Sequence, residues 1–282
     1  MLIKAFAKIN LTLDILGVRP DNFHEVSMVM QSIDLHDDVV VEKADAGIVL
    51  SVEGSDLPAD ENNLAHRAAA AMKENFGVKD GVRIKLTKRI PMAAGLAGGS
   101  ADAAAVILGI NEVFNLNAPM ERLSEIGASI GSDVPFCIMG GTMLSTGRGE
   151  ILRELSPFPE KYLVLAKPPI SISTPWAYKT YDKNPATEHP DNVKFEAALI
   201  KGDVKEMYAL MGNVLEKVAS SEYKEIEEYK NLMLEAGAEY AQMSGSGPTV
   251  FAFAKDKEAA ENIARVMKEK TKAELFVTKT RS

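Results

Sequence analysis

The 282-residue chain has a single cysteine, Cys137, so it can form no internal disulfide. It has no stretch approaching the roughly 18–20 apolar residues needed to span a bilayer, which excludes a transmembrane helix and gives no reason to expect a membrane partner. No secretory leader is visible at the N terminus: Lys4 and Lys8 already interrupt the run LIKAFAKINLTLDIL. With the lone cysteine, this points to a reducing cytoplasm. Positive charge is also scarce. Against 40 acidic residues there are 32 basic ones, a formal net charge of −8. Such a chain repels a phosphate backbone, so nucleic acid is not an expected partner, and an anionic ligand needs a local site of oriented amides. The four histidines (His24, His36, His66, His189) show no ligand spacing, so no metal site is expected.

What is present is an ordinary globular composition, 46% hydrophobic and 26% charged. The length exceeds the size at which one core stops growing, so two domains are expected. Val, Ile and Leu with partial alternation predict strands at 1–16, 25–33, 39–42, 48–53 and 82–88. The run NLAHRAAAAMKENF predicts a helix over 63–76, stopped by Gly77. Ala101 to Phe114 reads as a buried helix with small residues that permit close packing, and Met120 to Ile130 as another. Short strands are expected at 142–144 and 151–154. Ser156-Pro157-Phe158-Pro159-Glu160 is the best linker candidate. Beyond it the pattern predicts strands at 162–166, 238–243, 250–254 and 274–278, and helices at 204–219, 223–235 and 257–270. Strands and helices mix without strict βαβ alternation, which argues for α+β.

Residues 91–102, PMAAGLAGGSAD, lie directly before a predicted helix. Gly95, Gly98 and Gly99 allow positive φ and close approach to a ligand. The following helix offers unpaired N–H groups and the positive end of its dipole, a phosphate cradle that needs no net positive charge. The segment is neither a Walker A loop, since no lysine occurs between Arg89 and Lys161, nor a Rossmann fingerprint, whose spacing differs. A Gly/Ala turn that merely packs the helix on a sheet would look the same. Elsewhere, Ala7-Lys8-Ile9-Asn10-Leu11 puts Lys8 and Asn10 on one strand face and Ala7, Ile9 and Leu11 on the other. That is also the pattern of a half-exposed strand with its polar side in water. Asp133, in Gly131-Ser132-Asp133-Val134-Pro135-Phe136, could simply cap a turn.

These segments together resemble the GHMP kinases. Pro91, Gly95, Leu96, Gly98, Gly99 and Ser100 fit that superfamily's Pro-x-x-x-Gly-Leu-x-Gly-Gly-Ser. Ala93 and Ala97 stand where glycine is usual, and Ala101 where serine is. The methyl of Ala97 would crowd a triphosphate if φ there is positive. Gly131 to Phe136 resembles the segment whose aspartate lies beside the phosphorylated hydroxyl. Met243-Ser244-Gly245-Ser246-Gly247-Pro248-Thr249-Val250 resembles a third motif. Arg19-Pro20-Asp21-Asn22-Phe23-His24 and Ser173-Thr174-Pro175-Trp176-Ala177-Tyr178 resemble segments that hold a cytosine ring in one branch of the superfamily. They argue against a mevalonate, homoserine or galactose kinase, although ordinary core packing is the commoner role for aromatics such as Phe23 and Tyr178. Asn22 tolerates the left-handed backbone that glycine usually supplies there.

The resemblance implies a two-domain α+β GHMP kinase fold. A ribosomal-protein-S5-like domain would occupy residues 1–155 and a ferredoxin-like domain 161–282. Lys8 and Asp133 would be catalytic. Pro91, Met92, Ala93, Ala94, Gly95, Leu96, Ala97, Gly98, Gly99, Ser100 and Ala101 would bind ATP, accompanied by Mg²⁺. Asn10, Phe23, His24, Thr174 and Tyr178 would bind a small-molecule substrate carrying a cytidine diphosphate group. The protein would act as a monomer or homodimer. A binding protein that kept the fold and lost turnover is the distant alternative, supported by Ala93 and Ala97.

Overall fold

In the computed structural model, which describes residues 1–281, the chain divides into two units. The first comprises residues 1–7, 35–92 and 97–140, the second residues 8–34, 93–96 and 141 onward. Two long strands, β1 (Leu2–Val18) and β2 (His24–Ala44), contribute residues to both. The sequence pattern suggested two strands where β2 runs unbroken. Asp34 to Asp38 interrupt the apolar pattern, but the strand runs through them.

In the first unit, β3 (Ile48–Glu53) runs parallel to β4 (Gly81–Thr87), and β4 runs antiparallel to the end of β2, with Val41 opposite Ile84. Helix α1 (Leu64–Phe76) starts where the Asn63 side chain accepts from the Ala65 amide and stops at Gly77, whose φ of 62° is left-handed. It packs against α2 (Gly98–Val113), the Ala-rich helix. Gly109 of α2 sits on the sheet: a β-carbon there would lie 2.6 Å from Ile3 and 2.7 Å from Val41 side-chain atoms. Helix α3 (Met120–Ile130) and a short helix, α4 (Val134–Met139), complete the unit. The sequence pattern did not anticipate α4.

In the second unit, β5 (Thr142–Thr146) pairs with the start of β2 and with β6 (Ile151–Glu154). Residues 156–160 are irregular, and Phe158 among them is buried. Strand β7 (Tyr162–Lys167) is followed by α5 (Thr174–Tyr181) and α6 (Asn192–Lys201), neither expected from the sequence. The single helix expected over 204–219 is two, α7 (Val204–Leu210) and α8 (Val214–Glu222). Between them Gly212 and Asn213 form β8, parallel to β1 at Thr12 and Leu13, and the Asn213 side chain caps α8 by accepting from the Leu215 amide. A glycine followed by a capping residue was a stop-and-restart signal.

Helix α9 (Glu225–Glu235), β9 (Tyr240–Met243), β10 (Val250–Ala254), α10 (Lys257–Lys270) and β11 (Glu274–Lys279) follow. Strands β11, β7, β10 and β9 form one antiparallel sheet in that order. By chain order this is 4-1-3-2, with α9 and α10 packed on it, the β-α-β-β-α-β ferredoxin-like arrangement. Every residue of β10 is buried, with Phe251 and Phe253 each contributing about 1.5–3 kcal/mol of transfer free energy. Helix α10 turns Ala260, Ile263 and Met267 toward this core at helical spacing. Among the described residues, no helix is long and apolar enough to cross a membrane.

Candidate active site

Within the second unit, β1 presents Lys8 and Asn10 on the face opposite Ala7, Ile9 and Leu11, as alternation requires. All five are buried; Lys8 is 4% and Asn10 1% exposed. The polar side of this strand is therefore not a solvated face. The Lys8 ammonium donates to Asn10 Oδ1 at 2.7 Å and to the Gly95 carbonyl at 3.2 Å. The same carbonyl accepts the Ser244 hydroxyl at 3.0 Å. Gly95 has φ 74°, and a β-carbon there would collide with the Ser244 carbonyl oxygen, so only glycine fits. A β-carbon on Gly245 would lie 3.3 Å from Lys8 Nζ and 3.4 Å from Asn10 Oδ1. Three segments far apart in sequence, the first strand, the Gly-rich turn and the 243–250 motif, thus meet around one ammonium group.

Two residues missed in the sequence hold this cluster. Asn213 donates to the Met243 and Gly245 carbonyls at 2.9 and 2.8 Å, and Gln242 donates to the Asn10 carbonyl at 3.1 Å. Asn213 carried a local signal only as a helix cap, and Gln242 none beyond its amide type.

The Gly-rich segment turns through left-handed backbone three times, at Ala93 (φ 48°), Gly95 and Ala97 (φ 59°). Ala97 thus takes the conformation in which its methyl group matters. It immediately precedes α2, and no side chain caps that helix. The amides of Gly98, Gly99 and Ser100 open the helix without a side-chain partner at its cap. Pro91, Ala94, Leu96 and Ala101 are buried, whereas Met92 and Ala93 are exposed.

In the first unit, Asp133 precedes α4. Its side chain makes no capping hydrogen bond to that helix. Gly131, two residues earlier, lies beside Ser100: a β-carbon on it would stand 3.8 Å from Ser100 Oγ.

The second group of predicted binding residues also assembles within its unit. Asn22 has φ 63°, the left-handed value expected of it. The turn is closed by the Arg19 amide donating to the Phe23 carbonyl at 2.7 Å. Phe23 is 53% exposed, which rules out core packing, and the Arg148 guanidinium lies 5.1 Å from its ring centre. The His24 and Tyr178 rings lie 4.8 Å apart, tilted by 40°. His24 Nε2 is 2.8 Å from Asp182 Oδ1, which fixes the ring's direction. Thr174 and Ser246 hydroxyls are 3.0 Å apart. Asp182 and Arg148 were missed; they lie too far from Phe23 and His24 in sequence to announce the pairing.

A buried ionic group beneath the start of α2 was missed as well. Lys88 Nζ donates to Asp37 Oδ2 and, at 2.5 Å, to Asp102 Oδ2. Asp102 is the one acid among the buried residues of the Ala-rich helix, and a charge among them was the available signal. Burial pushes its carboxyl up to about 7, against the pull of Lys88 and with Asp37 adding to the rise.

The GHMP kinases N terminal domain matches residues 63–141, and the GHMP kinases C terminal domain matches residues 195–273. The chain belongs to the GHMP kinases and is a small-molecule kinase with ATP as phosphoryl donor. Among its relatives, a 4-diphosphocytidyl-2-C-methyl-D-erythritol kinase of Acetivibrio thermocellus is 47% identical over 99% of this chain and 98% of the relative. One of the same name from Clostridium tetani is 44% identical over 99% and 100%. A crystal structure of 4-(cytidine 5'-diphospho)-2C-methyl-D-erythritol kinase superposes with a TM-score of 0.86 at 30% identity, covering all of both chains. A homoserine kinase from Cytophaga hutchinsonii, at 21% identity, TM-score 0.74 and 97% and 94% coverage, shares the fold alone.

Proposed function

We propose that this chain transfers the γ-phosphoryl group of ATP to the 2-hydroxyl of 4-diphosphocytidyl-2-C-methyl-D-erythritol, giving ADP and the 2-phosphate, a step in making isoprenoid precursors. Full-length identity to kinases of that name carries the reading. The exposed Phe23 beside Arg148, and His24 against Tyr178, support a nucleobase-binding role for that corner. Phe23, His24 and Tyr178 hold the cytosine ring, and Thr174 and Asn10 bind the remainder of the substrate. Residues 1–155 and 161–282 act as its two functional modules, in a cytoplasmic setting.

Phosphoryl transfer asks mainly for positioning and charge stabilisation. The amides of residues 95–101 hold the phosphates. Lys8 stabilises the developing alkoxide and the transferring group. Asp133 orients the hydroxyl and accepts its proton late in the step, because an ordinary carboxylate, with a pKa of about 3.9, is far too weak to ionise an alcohol first. Among the described residues, no group of three or more His, Cys, Asp or Glu side chains could hold a metal ion. Mg²⁺ bound with ATP would supply neutralisation of the phosphate charge, and no step here rests on it.

The test is a coupled ADP assay with the cytidyl substrate, run beside mevalonate and homoserine. Turnover on the cytidyl compound alone supports the assignment. Turnover on either other alcohol, or tight ATP binding with no ADP from any of them, overturns it.

A further inference from the structure

Asp102 occupies an unusual place in the first turns of α2. It is 1% exposed, among residues that are otherwise Ala, Val, Ile and Gly. Its partner Asp37 is fully served: one oxygen accepts from Lys88, the other from the amides of Arg89 and, at 2.8 Å, Ile90. Asp102 has one bond, from Lys88 to Oδ2, and its buried Oδ1 has no hydrogen-bond partner. An unsatisfied buried carboxylate oxygen is costly.

The electrostatics point the same way. Two carboxylates and one ammonium leave a net negative charge in a sealed space, which a proton on Asp102 would remove. The charges acting on it are Lys88 and Asp37. Arg89 turns outward to Asp38. Around the rest of α2, α4 carries no charged side chain. Arg67 and Glu74 of α1, Arg83 and Lys85 of β4, and Glu121, Arg122 and Glu125 of α3 are exposed, and His66 and Lys73 of α1 are half-buried.

The group also lies close to the phosphate turn. A β-carbon on Gly98 would stand 3.6 Å from Lys88 Nζ. Any anion on the amides of Gly98 to Ser100 therefore meets the charge of this ionic group within the first turn of one helix, where such effects are strongest.

We propose that Asp102 is a positioning residue for the nucleotide: tied through Lys88 to Asp37, it sets the charge beneath the Gly98–Ser100 turn and takes up a proton when ATP docks there. This rests on the reading that those amides receive the ATP phosphates. Protonation relieves the repulsion between carboxylate and phosphate, and it gives Asp102 an O–H to share with Asp37. By linkage, nucleotide binding weakens as pH rises through the range in which free Asp102 ionises.

The experiment is calorimetric titration of ATP at pH 8 in two buffers of different ionisation heat, where phosphates with a second pKa near 6 are already ionised. The wild type is expected to take up on the order of 0.3–0.5 proton per ATP if binding raises the carboxyl by one unit. Asp102→Asn keeps an acceptor for Lys88 but cannot titrate. It should take up none and bind ATP with a flatter pH profile between pH 7 and 9. Proton uptake by Asp102→Asn equal to that of wild type overturns the proposal. If that variant does not fold, wild-type binding without proton uptake at pH 8 overturns it alone. Failure of the wild type to bind ATP at all removes the phosphate-loop reading as well.

Discussion

The ammonium group of Lys8 lies 2.7 Å from Oδ1 of Asn10, two residues along the same strand and out of reach of water. Removing the amide takes an acceptor from a buried charge, which costs about 1–3 kcal/mol. Asn10→Leu is expected to lower the urea midpoint accordingly, without a change in m, and to depress kcat through a misplaced ammonium. A variant with wild-type stability and turnover would show that the pair is incidental.

Asp133 makes no cap for the helix it precedes, so its carboxylate is not held for that structural task. Asp133→Asn should reduce kcat by at least about 10²-fold with a smaller change in KM and little change in melting temperature. Steady-state kinetics at saturating ATP decides. Undiminished turnover removes the residue from the chemistry.

Tyr178 stands against His24, which is itself held by Asp182. Tyr178→Ala is expected to weaken binding of the cytidyl substrate by about 1–3 kcal/mol, the scale of base stacking on an aromatic ring, and to leave ATP binding unchanged. Equal losses for both ligands would mean a general disturbance rather than a lost base contact.

Ala97 pays a steric cost at φ 59° that glycine would not. Against this, glycine loses more backbone entropy on folding. The balance predicts that Ala97→Gly stabilises the protein by about 0.5–1 kcal/mol, read as a rise in the denaturation midpoint. A fall would show that the methyl group packs productively.

His189 Nδ1 is 2.6 Å from Asp14 Oδ1, and that hydrogen bond holds the imidazole above its ordinary value of 6.5. A raised histidine stabilises the folded state below the unfolded value, and the contribution disappears as pH rises through the folded one. The ring is 44% exposed, so the effect is modest. His189→Ala should therefore lose more stability at pH 5.5 than at pH 8.5. An equal loss at both would assign the contact to packing.

The polar face of β1 was legible because period two is a strong rule and Lys8, Asn10, Ala7 and Ile9 obey it. Strands β7, β9, β10 and β11 and helices α9 and α10 were legible from well-separated apolar runs, while their ferredoxin-like arrangement was implied only by the family resemblance. The breaks around β8 were less so, because two residues pairing with β1 outweigh the helical preference of their neighbours. Long-range partners were invisible for a simple reason. Lys88 and Asp37 are 51 residues apart, and His24 and Asp182 are 158 apart, and no local pattern couples such positions. Solvation was the other blind spot: alternation placed Lys8 on a face but could not say whether water reached it.

The strict alternation in β1 also limits how this part of the gene can change. Inserting or deleting one codon ahead of Lys8 would exchange the two faces, sending the ammonium into the core space that Ile9 and Leu11 now fill and an apolar side chain toward Gly95. A two-codon change would restore the facing but shift the lysine by about 6–7 Å along the strand. Substitution at the exposed far end, Leu16 or Val18, carries no such penalty. Length, more than composition, is what natural variation cannot alter there.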